Sequence, residues 1–373
     1  MASRWLRGLR RLPPPPSALR VSPSLSKEGK RTYGYLRNGH VSAVCGQGRG
    51  TILGGDQRRH VSNATTESPS SRAVIIGAGS VGSTIGSFLV FEGAYDEVVL
   101  IDLDEDRLRG EVMDLSDASF LSDTSVRMGT YEDAADADLV IITAGAKQRP
   151  NETRLALLKR NVGILSSIAD SILPVADHTL VLLVANPVDI LTQLFQEISQ
   201  LPKERVIGSG TFLDSMRLCT ELSRKFGVAP SHIHAYVVGM HGDCQIPVWS
   251  HCSVGGVHVS GYGCLKRAEM IELAERARDK AYRIINAKGS TYYGIAACVA
   301  KLSVGLQMNR HQIFPLSVWS EANGSYLSWP AFVGSNGVQG TLPLTLNSEE
   351  SAVVERAAAT VKAAVADAQK PGE

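Results

Sequence analysis

The chain has 373 residues, with 38 Lys and Arg against 37 Asp and Glu and a formal net charge of +1. That length holds two domains or one large α/β unit with a sizeable core. The balanced charge argues against a nucleic-acid binder, which needs a clustered basic excess in its folded part. No stretch reaches the roughly 18 apolar residues of a membrane span. The cysteines Cys45, Cys219, Cys244, Cys252, Cys264 and Cys298 form no C-x-x-C pair, so they read as free thiols in a reducing compartment and not as a metal site.

The basic residues Arg4, Arg7, Arg10, Arg11, Arg20 and Lys27 precede the first acidic residue, Glu28. An Arg-rich, Ser-bearing, acid-poor start is the composition of a mitochondrial transit peptide, with a cytoplasmic or plastid location as the alternative. Pro13 to Pro16 would break a helix there, and residues 30–71 are rich in Gly, Ser and Arg without apolar periodicity, as in a linker. Residues 1–71 are therefore expected to be transit peptide and disordered linker.

Ordered structure is expected from Arg72. Residues 73–76 read as a buried strand running into Gly77-Ala-Gly79-Ser-Val-Gly82, residues 83–92 as a helix and residues 98–102 as a second strand. Further apolar runs at 138–143 and 180–185, separated by a helical pattern over 153–170, imply a parallel sheet covered on both faces. Past about residue 210 the pattern changes to longer helices at 265–288 and 348–368 and a β-like, Gly-rich stretch at 252–262. The expected fold is α/β: a Rossmann-type doubly wound parallel sheet over 72–208 and a second, mixed α/β substrate domain over 209–373.

A lone Gly-x-Gly-x-x-Gly is weak evidence, but here it joins a strand to a helix. Gly77 permits the tight turn, Gly79 lets the backbone approach a pyrophosphate, and Gly82 allows close helix packing, with the helix N-terminus facing the phosphates. Asp102 lies 20 residues past Gly82, where a carboxylate accepts from a ribose 2′-hydroxyl and repels a 2′-phosphate. NAD is thus expected over NADP; the structural alternative is Asp102 as a helix cap.

Downstream, Asp214-Ser-Met-Arg217 is followed 24 residues later by His241 in a Gly-Met-His-Gly-Asp segment. Asp214 and Arg217 are spaced to share a helix face, which by itself is also the spacing of an ordinary surface ion pair. Guanidinium, carboxylate and imidazole together suit a 2-oxo acid, which needs an anchor for its carboxylate and a proton for its ketone oxygen.

From Arg72 onward the chain resembles the L-lactate/malate dehydrogenase family. The resemblance rests on Gly77–Gly82, Thr143-Ala-Gly-Ala-Lys-Gln-Arg-Pro-Asn-Glu-Thr-Arg154, Ala185-Asn-Pro-Val188, Gly208-Ser-Gly-Thr-Phe-Leu-Asp-Ser-Met-Arg217, Met240-His-Gly-Asp243 with Ile246-Pro-Val-Trp249, and Lys288-Gly-Ser-Thr291. It implies a homo-oligomer, tetramer or dimer, acting on a small molecule, with no nucleic-acid, membrane or metal partner. It makes His241 the general acid/base, Asp214 its partner, Arg217 the holder of the substrate carboxylate and Arg154 a lid arginine that polarises the carbonyl. Asn186 and Thr291 become substrate contacts, and Ile295 lies against the nicotinamide.

Within the family the resemblance is closer to the lactate-type members, because Gln148, six residues before Arg154, stands where malate dehydrogenases place an arginine for a second carboxylate. The implied reaction is reversible hydride transfer between NADH and pyruvate. The alternatives are a malate or broad 2-hydroxy-acid dehydrogenase, for which the neighbouring Arg149 is a candidate side-chain reader, and a catalytically idle NAD-binding protein. Met240 in place of the usual glutamate, and Ser116-Asp117 in place of Gln-His, depart from the lactate pattern at expected subunit or supporting contacts. His234 matches one half of the bacterial allosteric fructose-bisphosphate site; Cys219 replaces the other half's arginine.

Overall fold

The computed structural model describes residues 70–146, 153–261 and 265–370. The apolar run after Ser71 forms β1 (Arg72–Ile76), and its side chains alternate between two cores, Val74 and Ile76 on one face of the sheet, Ala73 and Ile75 on the other. A strand buried on both faces has no reason to alternate polar with apolar residues, which is why it reads as a continuous run. The helix α1 (Ser80–Glu92) follows, then β2 (Glu97–Ile101), α2 (Glu105–Asp117), β3 (Ser125–Met128), β4 (Leu139–Ile142), α3 (Arg154–Ile172), β5 (Leu180–Leu183), α4 (Val188–Ser199) and β6 (Val206–Gly208). The strands are parallel in the order β3-β2-β1-β4-β5-β6, the order of a dinucleotide-binding sheet.

The remainder opens with α5 (Phe212–Phe226). Short strands β7 (Ile233–His234), β8 (Val237–Met240), β9 (Cys244–Pro247), β10 (Ser253–Val254) and β11 (Val257–His258) precede α6 (Arg267–Lys288) and α7 (Tyr293–Gln307). A long hairpin of β12 (Gln312–Ser320) and β13 (Ser325–Gly334), with β14 (Gly337–Thr341), leads to α8 (Ser348–Gln369). The start of α8 is set by Asn347, whose side chain accepts from Glu350 N–H at 2.9 Å while Glu350 accepts from Asn347 N–H at 3.0 Å.

The sheet does not stop where the parallel strands do. Ser317 of β12 pairs antiparallel with Gly208 of β6, and β13, β8 and β9 extend the same sheet. The substrate part is thus joined to the dinucleotide part through a shared sheet as well as by packing. Helices α3, α4 and α8 cover one face, and α1, α2 and α7 the other. A third cluster, including Leu218, Leu222, Ile233, Val254 and Leu273, packs α5 and α6 onto the β7-β10-β11 sheet. In the described part of the Gly-rich stretch expected to be β-like from 252 to 262, the strands are β10 and β11, with two glycines, Gly255 and Gly256, turning the chain between them. Gly77, Asp102, Thr143 and Asn186 all follow the carboxyl ends of neighbouring parallel strands, so the topology delivers them to one edge of the sheet.

Candidate active site

The glycine turn is built by crowding. Gly77 has φ +107°, and a Cβ there would lie 2.7 Å from both Ala144 N and Thr143 Oγ1. A Cβ on Gly82 would overlap the Gly77 carbonyl oxygen, so α1 can approach β1 only without a side chain at that point. Gly79 instead has open space where its Cβ would stand. It is the N-cap of α1, offers no side-chain cap and precedes a first turn without acidic residues, so the positive end of the helix faces outward.

A cleft of about 870 Å³ lies over this turn, lined by Gly77, Gly79 and Gly82 and by Asp102, Arg107 and Thr291. These features fit a dinucleotide: a crowded turn below, an uncapped helix end for a pyrophosphate and a carboxylate at the second strand. Asp102 does not cap α2, a task that falls to Asp104, whose Oδ1 accepts from Arg107 N–H at 3.1 Å. Asp102 Oδ2 accepts from Ala78 N–H at 2.7 Å, and its Oδ1 accepts from Asp104 N–H at 3.0 Å and from Arg107 Nη2 at 2.7 Å. Partial burial opposes its ionisation, but the Asp104 N–H, the Arg107 guanidinium and the Ala78 N–H outweigh burial and hold Asp102 below the usual carboxylate range.

The second group of residues comes together on the extended part of the sheet. Asp214 and Arg217 lie on one face of α5, and His241 follows the end of β8. His241 Nδ1 is 2.7 Å from Asp214 Oδ2, and Arg217 Nη1 donates to Asp214 Oδ1 at 3.4 Å. The carboxylate thus serves both partners. Asp214 and Arg217 are 3% and 6% exposed, which rules out a surface ion pair.

Burial is the largest single influence on the His241 imidazole and disfavours its charged form. The Asp214 carboxylate, through charge and hydrogen bond, outweighs it with help from Asp189, so His241 is held above the ordinary imidazole range. Asp214 is held below the usual carboxylate range, because the His241 and Arg217 charges overcome its own burial. With Nδ1 committed to Asp214, Nε2 is the nitrogen left to exchange a proton with a bound molecule.

Asn186 lies exposed beyond β5, beside Pro187 at the start of α4. Ile295 stands on α7, packed against the core cluster that includes Val81 and Leu213 at its margin. Arg154 is the first residue of α3, whose N-cap is Thr153, with the Thr153 hydroxyl accepting from Ala156 N–H at 3.1 Å. The side chain of Arg154, and all of Gln148 and Arg149, lie outside the described residues. So do Cys45, Cys264 and residues 1–69; Cys219, Cys244, Cys252 and Cys298 are free thiols.

Two supporting residues escape a reading of the sequence. Asn161, 2% exposed within α3, accepts from Ala146 N–H at 2.8 Å and donates to the Asn186 carbonyl at 3.0 Å. Asp189, 1% exposed in the first turn of α4, accepts from the backbone N–H of His241 at 2.7 Å. The available signal was a polar side chain on an apolar helix face, which by itself names no partner.

Comparison with known proteins agrees with this geometry. Residues 71–208 match the lactate/malate dehydrogenase NAD binding domain, and residues 211–371 match the alpha/beta C-terminal domain of the same family. The chain belongs to the lactate/malate dehydrogenase family. Among its relatives, L-lactate dehydrogenase A of Rhizopus oryzae is 39% identical over 292 residues, covering 78% of this chain and 91% of that one. The L-lactate dehydrogenase of Staphylococcus epidermidis is 42% identical over 304 residues, covering 78% and 95% of the two chains. The crystal structure of a minor L-lactate dehydrogenase from Enterococcus mundtii superposes with a TM-score of 0.78 at 34% identity, covering 81% of this chain and 99% of that one. The Gly77–Gly82 turn lies within the part of the chain that matches the family's NAD binding domain, and NAD is the cofactor.

Proposed function

We propose that this family member is an NAD-dependent L-lactate dehydrogenase that interconverts pyruvate and lactate. The observation that carries the reading is the buried Asp214 carboxylate shared between His241 Nδ1 at 2.7 Å and Arg217 at 3.4 Å. It places a proton-bearing ring and a fixed guanidinium side by side, which a 2-oxo acid requires. The relatives named L-lactate dehydrogenase, and Gln148 in place of an arginine, support the substrate choice.

In this reading Arg217 binds the substrate carboxylate through its planar fork, and burial strengthens that attraction. Gly77, Gly79, Gly82 and Asp102 would hold the dinucleotide, which in its reduced form would supply a hydride for C2 of pyruvate. His241 delivers its Nε2 proton to the ketone oxygen as charge develops there, and Asp214 stabilises the imidazolium beforehand. In lactate oxidation neutral His241 takes the hydroxyl proton instead. Arg154 polarises the carbonyl, Asn186 and Thr291 contact the substrate, and Ile295 backs the nicotinamide.

A homo-oligomer, tetramer or dimer, belongs to the same proposal. The 65% exposed Met113 on α2, and Phe120 and Leu121 just beyond it at 83% and 57%, supply apolar surface for such an assembly. The deciding assay compares kcat/KM for pyruvate and oxaloacetate with NADH. A clear preference for pyruvate supports the reading, equal use of oxaloacetate moves it to a broad 2-hydroxy-acid dehydrogenase, and absence of turnover with both overturns it.

A further inference from the structure

Asp189 is a buried carboxylate that the proton transfer described above does not use directly. It stands in the first turn of α4, 1% exposed, and both of its oxygens accept hydrogen bonds. Oδ2 takes the backbone N–H of His241 at 2.7 Å, and Oδ1 takes the Ser328 hydroxyl of β13 at 2.8 Å. Ser328 is itself in register with Gly239, two residues before His241 on β8. Helix α4, strand β13 and the end of β8 therefore meet at one carboxylate, directly behind the catalytic ring.

From this geometry we infer that Asp189 is a positioning residue for His241. Its carboxylate fixes the backbone from which the imidazole projects and adds a second negative charge that supports the imidazolium. Asp214 holds the ring from the side of α5; Asp189 holds its main chain from the side of α4.

Two features favour a role for the charge as well as the hydrogen bond. Holding one backbone N–H needs only an acceptor, which a neutral asparagine supplies without the cost of burying an ion. The position in the first turn of α4 also gives a carboxylate the favourable end of the helix dipole. Burial, the larger influence, pushes the Asp189 carboxyl above the ordinary carboxylate range, while the His241 N–H, the Ser328 hydroxyl and the His241 charge favour its ionised form. Among the described residues, the charged groups facing His241 are Asp214 and Arg217 on α5 and Asp189 on α4. The cation of Arg217 opposes the imidazolium, and a second carboxylate offsets it.

The inference rests on His241 being the proton donor, and the test separates the two. Pyruvate reduction needs imidazolium, so wild-type kcat/KM falls as pH rises through the His241 pKa. Asp189→Asn keeps an acceptor and removes the charge. It should move that limb to lower pH by about half a unit or more, because a neighbouring negative charge is lost. NADH affinity, read by fluorescence titration, should stay within about twofold, a change of under 0.5 kcal/mol by the usual conversion. Ser328→Ala removes a hydrogen bond to Asp189 and keeps the charge, so it should lower the melting temperature without shifting the limb downward.

A limb that stays in place in folded, NADH-binding Asp189→Asn overturns the inference and leaves the function intact. If wild type reduces pyruvate with no alkaline limb, the reading of His241 fails first. Asp189→Ser, a smaller neutral acceptor, is the second variant. If neither neutral variant folds, the carboxylate is a folding element and the inference is overturned.

Discussion

The guanidinium of Arg107 donates to Asp102 Oδ1 at 2.7 Å inside the dinucleotide cleft. The carboxylate that should reject a 2′-phosphate is therefore itself paired with a cation able to bind one. Three donors hold Asp102 below the usual carboxylate range, so it is ionised at neutral pH and stands in the cleft as an anion.

NADH should accordingly bind more tightly than NADPH, and the margin should depend on this ion pair. Asp102→Asn keeps an acceptor for Ala78 N–H but frees Arg107 for a phosphate. The NADH/NADPH ratio of dissociation constants, measured by fluorescence titration, should shift toward NADPH by about tenfold or more, one charge-assisted hydrogen bond's worth. An unchanged ratio would show that Arg107 cannot reach the phosphate.

The pH dependence of catalysis follows from His241. Its pKa is raised in the folded protein, so the coupling to Asp214 contributes stability that is complete below the ordinary imidazole value and is lost as pH rises through the raised one. Pyruvate reduction should fall across that same upper range, and lactate oxidation should rise. Asp214→Asn removes the partner, moves both limbs to lower pH and should cost about 10²–10⁴-fold in kcat, the usual worth of a positioned proton carrier. Stopped-flow rates across pH check both effects.

Gln148 should select a methyl over a carboxymethyl group. An unpaired second carboxylate in a dry site costs roughly 3–5 kcal/mol, or about 10²–10³-fold or more in rate. Gln148→Arg should raise activity on oxaloacetate and depress it on pyruvate. If the ratio of the two kcat/KM values does not move, another group, with Arg149 the first candidate, reads the side chain.

Asn161→Ala should loosen two loops at once. It removes the partner of the half-buried Ala146 N–H and of the Asn186 carbonyl, at a cost of about 1 kcal/mol for each hydrogen bond lost, since solvent reaches both residues. Urea unfolding would register the loss, and KM for pyruvate should rise because Asn186 loses its support. Unfolding at the wild-type midpoint would show that solvent replaces both bonds.

The dinucleotide half was legible in the sequence because its signals are local. A fully buried parallel strand must be apolar throughout, as residues 73–76 and 139–142 are, and a glycine turn must carry Gly77 and Gly82 because any side chain would collide. The i, i+3 spacing of Asp214 and Arg217 likewise placed both on one face of α5. Whether that face was buried, and whether Asp214 belonged to Arg217 or His241, depended on how β8 lies against α5; the answer is both. Asp189 and Asn161 carried no readable partner, since the donors and acceptors that satisfy them lie 15 to 139 residues away along the chain. A buried polar group is specified by what surrounds it in space, and that surrounding exists only once α4, β8 and β13 have closed around one carboxylate.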